Sequence, residues 1–159
     1  MSHERVQLTG KTFGPVKRTV SEEDIREFLK VTGEKNPAYD EDHAAALDGH
    51  PRRLIPPSFA PLVALGILRA IDWERDFLLD IRKGTVMSGE QELKLSRPIY
   101  LGETVTVRGQ IVDVSSKRGK RPFDVARIEV RGSDEGGFQV FSGAISCILM
   151  GWKDPSIRS

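Results

Sequence analysis

Cysteine is all but missing from this chain of 159 residues, where Cys147 stands alone. A single thiol excludes an internal disulfide and a thiolate metal cluster, and it fits a reducing, cytoplasmic setting. A dominant charge is missing too. With 24 basic and 23 acidic residues the formal net charge is +1, so no overall field draws the chain to nucleic acid or to an anionic membrane, and neither is expected as a partner. The uncharged, apolar run Leu54 to Leu68 falls short of the ~20 apolar residues a bilayer-spanning helix needs. Met1 to Lys11 lacks the basic-then-apolar layout of a secretory signal. The three histidines, His3, His43 and His50, include no pair at metal-ligand spacing, and no glycine-rich loop follows a strand to cradle phosphate. No cofactor and no metal are therefore expected.

What is present reads as one domain, residues 1–151, followed by a frayed tail over 152–159. Lys11 to Val20 alternates loosely and suggests a first strand, bent or kept to an edge by Gly14 and Pro15. Ser21 then opens the clearest helix signal: a capping serine, acids at Glu22, Glu23 and Asp24, and an apolar stripe of Ile25, Phe28 and Leu29. That helix is expected to run to about Thr32 and to stop at Gly33. A short acidic helix is expected over Asp40 to Leu47. Leu54 to Ser58 is extended, since each residue before a proline is pushed out of the helical region.

From Ser58 to Ile71 the chain has helical length and apolar residues on every side, so it is expected to be a buried helix, with Leu65 and Ile67 both in the core. Strands follow the charged connection Asp72 to Lys83. One contains Gly89 to Ser96. The next is carried by Val105, Val107 and Ile111, with Gly109 a possible bulge; the last two span Val125 to Val130 and Phe138 to Leu149. The basic cluster Lys117, Arg118, Lys120 and Arg121 sits beside Gly119 and Pro122 and reads as a solvated turn. Helices first, antiparallel strands after, and one very apolar helix left over make an α+β layout, solved most simply by a curved antiparallel sheet wrapped around that helix. The strands Val125–Val130 and Phe138–Leu149 hold no proline, so they look unprotected as edges, and pairing with a second unit is expected.

Four short pieces share an order and spacing with a known family. They are Gly33-Glu34-Lys35-Asn36-Pro37, Pro56-Pro57-Ser58-Phe59, Gly89-Glu90-Gln91-Glu92, and Arg97-Pro98 with Gly102-Glu103-Thr104-Val105. Together they resemble the MaoC-like hydratases and dehydratases, hotdog proteins, and within them the amino-terminal, FAS1-like dehydratase half of fused proteins or the partner subunit of two-chain dehydratases. The resemblance implies a single hotdog domain that pairs into a double hotdog, as a homodimer or as a heterodimer with a catalytic MaoC-like subunit. It implies an acyl-CoA or acyl-carrier-protein thioester as substrate.

In that family the turn reads Gly-Asp-x-Asn-Pro-x-His, with the Asp and His as catalytic pair. Here those two positions hold Glu34 and Tyr39. Glu34 is a carboxylate one methylene longer, and Tyr39, with a reference pKa near 10, is no base at neutral pH. Asn36, Pro57, Ser58 and Phe59 fall where the resemblance puts substrate contacts, yet Asn36 and Pro37 also read as ordinary turn residues and Ser58 as a helix cap, with no Gly-x-Ser-x-Gly elbow around it. Pro57 removes one of the free amides that would hold a thioester oxygen, leaving those of Ser58, Phe59 and Ala60. Three functions stay open: a hydro-lyase subunit with little activity alone, a non-catalytic acyl-binding module, and a hotdog acyl-CoA thioesterase using Glu34 as its lone carboxylate.

Overall fold

The computed structural model describes residues 8–40, 42–77 and 84–151. The tail 152–159, His3 and the side chain of His43 lie outside the described residues. Strand β1, Thr12–Thr19, comes first and includes a cis Gly14–Pro15 peptide. Helix α1, Glu22–Thr32, follows from its local chemistry. The Asp24 amide donates to Ser21 Oγ at 3.2 Å and the Ser21 amide donates to Asp24 Oδ2 at 3.0 Å, a reciprocal cap. At the other end Gly33 takes φ 70°, a left-handed conformation natural to glycine, and its amide closes on the Leu29 carbonyl at 2.9 Å.

The acidic segment after α1 is two pieces: a 3-10 turn, Pro37–Tyr39, and helix α2, Asp42–Leu47. The central apolar segment is a chain of short helices. A 3-10 turn, Pro57–Phe59, leads into α3, Ala60–Leu65, and a second 3-10 stretch, Gly66–Ala70, ends it. Only one side of this rod is buried. Phe59, Ala60, Val63, Ala64 and Ile67 lie in the core, whereas Leu65 is half-buried and Leu62 is 51% exposed. The expectation of a helix buried all round, with Leu65 in the core, is corrected: the sheet reaches one face, and the opposite face fronts a groove.

The connection after Ile71 holds a short helix, α4, Trp73–Phe77, which the charged sequence pattern did not reveal. The remaining strands are β2, Thr85–Leu95, β3, Thr104–Lys117, β4, Phe123–Ser133, and β5, Gln139–Met150. They form one antiparallel sheet in the order β1-β3-β4-β5-β2. Period-two alternation turns Val105, Val107 and Ile111 of β3 and Ala126, Ile128 and Val130 of β4 into the core.

Gly109 is not a bulge. It pairs with Val130 in register, and a Cβ there would stand 2.9 Å from Ile67 Cγ1, so its role is to let the central helix approach the sheet; the β3–β4 bulge falls between Ile111 and Asp113. The edges also differ from expectation. β4 and β5 are interior strands, which accounts for their lack of proline, while β1 and β2 are the edges. β1 carries Pro15, and β2 carries exposed Glu90, Glu92 and Lys94, the usual ways of blunting an edge. Among the described residues no helix is long and apolar enough to cross a membrane.

Candidate active-site turn and its groove

The polar turn after α1 is closed by its own side chains. Glu34 Oε1 accepts from the backbone amides of Lys35 at 2.8 Å and Asn36 at 2.9 Å. Asn36 Oδ1 accepts from the Ala38 amide at 3.1 Å and so caps the 3-10 turn that Pro37 begins. Ala38 is buried and its carbonyl accepts from the Leu54 amide at 3.1 Å, while Arg53 Nη1 donates to the Asp40 carbonyl at 2.7 Å. The turn is thereby fixed against the Leu54 segment, which itself bridges to Tyr100. Glu34 is exposed and Tyr39 half-buried.

The start of the central rod is a poor oxyanion holder. Pro57 has no amide, the Phe59 amide donates to the Pro56 carbonyl at 2.8 Å, and the Ala60 amide donates to Pro57. Of the three amides left by the sequence, two are thus spent inside the turn. Pro57 and Ser58 are exposed and Phe59 is buried, its ring meeting Phe28 edge-on at 5.2 Å between centroids.

Beside Phe59 opens a groove of about 580 Å³ between β1, α1 and the outer face of the central rod. Its apolar lining comes from Phe28 and Val31 of α1 and from Phe59, Leu62, Val63 and Leu65. Val31 is 86% exposed. Lys17, Arg18, Asp24, Glu27 and Arg69 supply a mixed charged rim, with Arg18 and Asp24 paired at 2.8 Å. The Asp24 carboxyl is held below its ordinary range by the Ser21 backbone amide, despite some desolvation, with help from the Ser21 hydroxyl and Arg18. Of the candidate site residues read from the sequence, Phe59 alone lines this groove; Glu34, Asn36, Tyr39, Pro57 and Ser58 do not. The signal that would have found it was the spacing Leu62, Leu65, Arg69 on the rod, facing Phe28 and Val31 on α1.

Two carboxylate clusters escaped the sequence reading. Asp76 is buried, with Lys11 Nζ at 2.6 Å and Arg75 Nε at 3.0 Å from Oδ1, and the Asp72 amide at 3.0 Å from Oδ2. Burial pushes its carboxyl up, but hydrogen bonds from Arg75 and Lys11 outweigh it and hold the group at about 2. Glu103, 9% exposed, accepts from the Arg97 guanidinium and from the Tyr100 amide at 3.1 Å. Arg97 also reaches Asp134 Oδ2 at 3.0 Å, joining the β2–β3 turn to the β4–β5 hairpin. Burial likewise raises the Glu103 carboxyl, and Arg97 together with the Tyr100 amide more than offsets it, so the net direction is down. Cys147 is buried and its thiol is pushed up to about 11, which leaves it no nucleophile. Among the described residues no three of His, Cys, Asp and Glu group to hold a metal ion.

The family model for the FAS1-like dehydratase domain region matches residues 7–142. A UPF0336 protein of Streptomyces coelicolor is 32% identical over 134 residues, covering 84% of this chain and 86% of its own. A UPF0336 protein of Parafrankia is 30% identical over 136 residues, covering 86% and 87%. Among solved structures, the C-terminally truncated HadBC (3R-hydroxyacyl-ACP dehydratase) complex of Mycobacterium tuberculosis has a chain 20% identical, with a TM-score of 0.72 over 89% of this chain and 96% of that one. The ChsH1–ChsH2 complex of the same organism gives 21% identity and a TM-score of 0.72, over 99% and 94%. The (R)-hydratase of A. caviae involved in PHA biosynthesis gives 15% and 0.65, over 90% and 96%. With a turn, a central rod and a five-stranded sheet of that kind, and a family match running through nearly all of them, the chain belongs to the FAS1-like dehydratase domain family and has the MaoC-like hotdog fold.

Proposed function

We propose that this chain is the substrate-binding subunit of a hydro-lyase acting on acyl thioesters, an enoyl-thioester hydratase or 3-hydroxyacyl-thioester dehydratase, in which a partner chain of the same fold supplies the Asp and His. The observation that carries the reading is the state of Glu34. Its carboxylate accepts two amides of its own turn, Tyr39 stands where a proton-transferring histidine is needed, and two of three amides at the rod's start are occupied. Adding water across a double bond requires one group to take a proton from water, another to return one to carbon, and donors on the carbonyl oxygen. This chain lacks the second and has little of the third. What it retains is an apolar groove beside Phe59 that suits an acyl chain. The structural neighbours HadBC and ChsH1–ChsH2 are complexes of two chains, which supports a heteromeric assembly. The same state of Glu34 speaks against a thioesterase, which would need that carboxylate aimed at water.

The test is co-purification from the native host, followed by hydration of a short enoyl-CoA by the chain alone and with the second hotdog chain it carries. The chain alone is expected to be inert and the pair active. Turnover above about 1 per second by the chain alone, abolished in Glu34→Ala, would overturn the proposal.

A further inference from the structure

The piece Gly89-Glu90-Gln91-Glu92 takes no part in the function proposed above, yet one of its side chains makes a specific long-range contact. Three steps along β2, from Ser88 to Gln91, answer two steps along β5, from Cys147 to Ile145, so β2 carries one extra residue there. The bulge resets the alternation. Counted in twos from Ser88, the core-facing row of β2 would take Glu90 and Glu92; with the extra residue it takes Gln91, Leu93 and Leu95. Gln91 thus heads an apolar row as its one amide, half-buried. Its Nε2 donates to the carbonyl of Pro61, in the first turn of α3, at 3.1 Å. That bond offsets the cost of turning an amide inward.

What the bond opposes lies on the other flank of the rod. β1 and β2 are the two edges of the sheet, and Gln91 reaches the rod from the β2 edge, whereas the groove lies by β1, between the rod and α1. In the groove Val31 and Leu62 stand largely exposed. Apolar burial is favourable and has no preferred direction, so the force that packs Ala60 and Val63 onto the sheet equally favours rolling Leu62 against Val31. Unopposed, it would close the groove. The rod's own ladder gives little resistance, because it is built of three short pieces, Pro57–Phe59, Ala60–Leu65 and Gly66–Ala70. A hydrogen bond has both a length and a direction. Pro61 is the residue before Leu62, so a Pro61 carbonyl held towards β2 keeps the next side chain from rolling towards α1.

We propose that Gln91 is a positioning residue that holds the groove open, by tethering the first turn of α3 to the far edge of the sheet. The inference rests on the acyl-thioester reading for what fills the groove and adds what keeps it open. It also accounts for an amide at a position whose row continues with leucine, since a leucine there would pack but could not pull.

The test pairs two readouts on the full-length chain. In the first, Leu62→Cys/Val31→Cys is oxidised with glutathione disulfide, and the rate of cross-linking reads the gap across the groove without any ligand. The natural thiol, Cys147, is buried and does not compete. Adding Gln91→Met, which keeps the length and loses the donor, should speed the cross-link at least about fivefold, the equivalent of one ordinary hydrogen bond. Gln91→Glu, ionised at neutral pH and unable to donate, should do the same, and it carries both measurements if Gln91→Met does not fold.

The second readout, without the added cysteines, is binding of cis-parinaric acid, a fluorescent long-chain fatty acid. Gln91→Met should weaken it at least about fivefold while circular dichroism stays that of the parent. In a Leu62→Ala background, where the side chain that closes the gap is gone, the same substitution should cost less than about twofold, a non-additivity that a merely structural role would not produce. A cross-link that is unchanged or slower in the variants, or an equal loss of binding with and without Leu62, would overturn the tether. A cross-link that quickens as expected, in a chain whose parent binds no fatty acid, would sink the acyl reading of the groove while leaving the tether standing.

Discussion

Glu34 and Glu103 are the same side chain on two turns of the same fold, yet they do opposite things. Glu34 bonds only to amides one and two residues ahead, in the open. Glu103 is nearly buried, grips Arg97 six residues back and, through it, Asp134 on another hairpin. Asp76 behaves like Glu103, taking Lys11 from 65 residues away. A carboxylate bonded only to its own turn shapes that turn and is replaceable; one bonded across the sequence holds elements together and leaves a stranded charge when its partner is lost. By this comparison Glu34 shapes its own turn, and the strongly perturbed carboxylates hold distant elements together. Perturbed groups at functional sites are a tendency, and ion-pair networks produce the same signature.

The largest expected effect comes from breaking the buried side of the comparison. Arg97→Ala strands Glu103 and should cost about 3 kcal/mol in urea unfolding, and a loss under about 1 kcal/mol would show that the network is not holding the two hairpins. Close behind is a contrast between faces of the central rod. Ile67→Ala, at a fully buried site facing Gly109, should cost about 2–4 kcal/mol, while Leu62→Ala on the groove side should cost under about 1 kcal/mol; equal losses would mean that the groove face is also packed.

Acid is the third probe. The Asp76 carboxyl is held at about 2 in the folded chain, below the 3.8 ordinary for an aspartate. A depressed carboxylate stabilises above the unfolded value and stops doing so as pH falls through the folded one. Its share, about 2 kcal/mol, should be complete above about pH 5, fade from there towards pH 2 and vanish below. Comparing Asp76→Asn with the parent by thermal melts across that window should show the two curves converging at the acid end; a constant gap would contradict the assignment. The smallest effect belongs to Glu34→Ala, a lost cap worth about 1 kcal/mol or less. Measured in the two-chain assembly, it should leave hydration unchanged, and a large fall in kcat would restore Glu34 to the chemistry.

Local signals carried much of this molecule into view. The cap at Ser21 and Asp24, the stop at Gly33, and the alternation in β3 and β4 are decided within three residues or by a period of two, so they are present in the chain before it folds. The Gly33–Pro37 turn was legible for the same reason, since Asn36 bonds only two residues ahead. The presence of Glu34 and Tyr39 in this stretch is likewise a property of the sequence itself. What only the tertiary structure decided depends on partners distant along the chain. Whether a strand is an edge is set by which others flank it, so β4 and β5 turned out interior. Gly109 serves Ile67, which lies on another element 42 positions earlier, and its neighbours in sequence suggested a bulge instead. Asp76 looked like one charge in a charged connection until Lys11 was brought beside it. The groove exists because α1 and the rod stand apart at Val31 and Leu62, a spacing that helical periodicity leaves open.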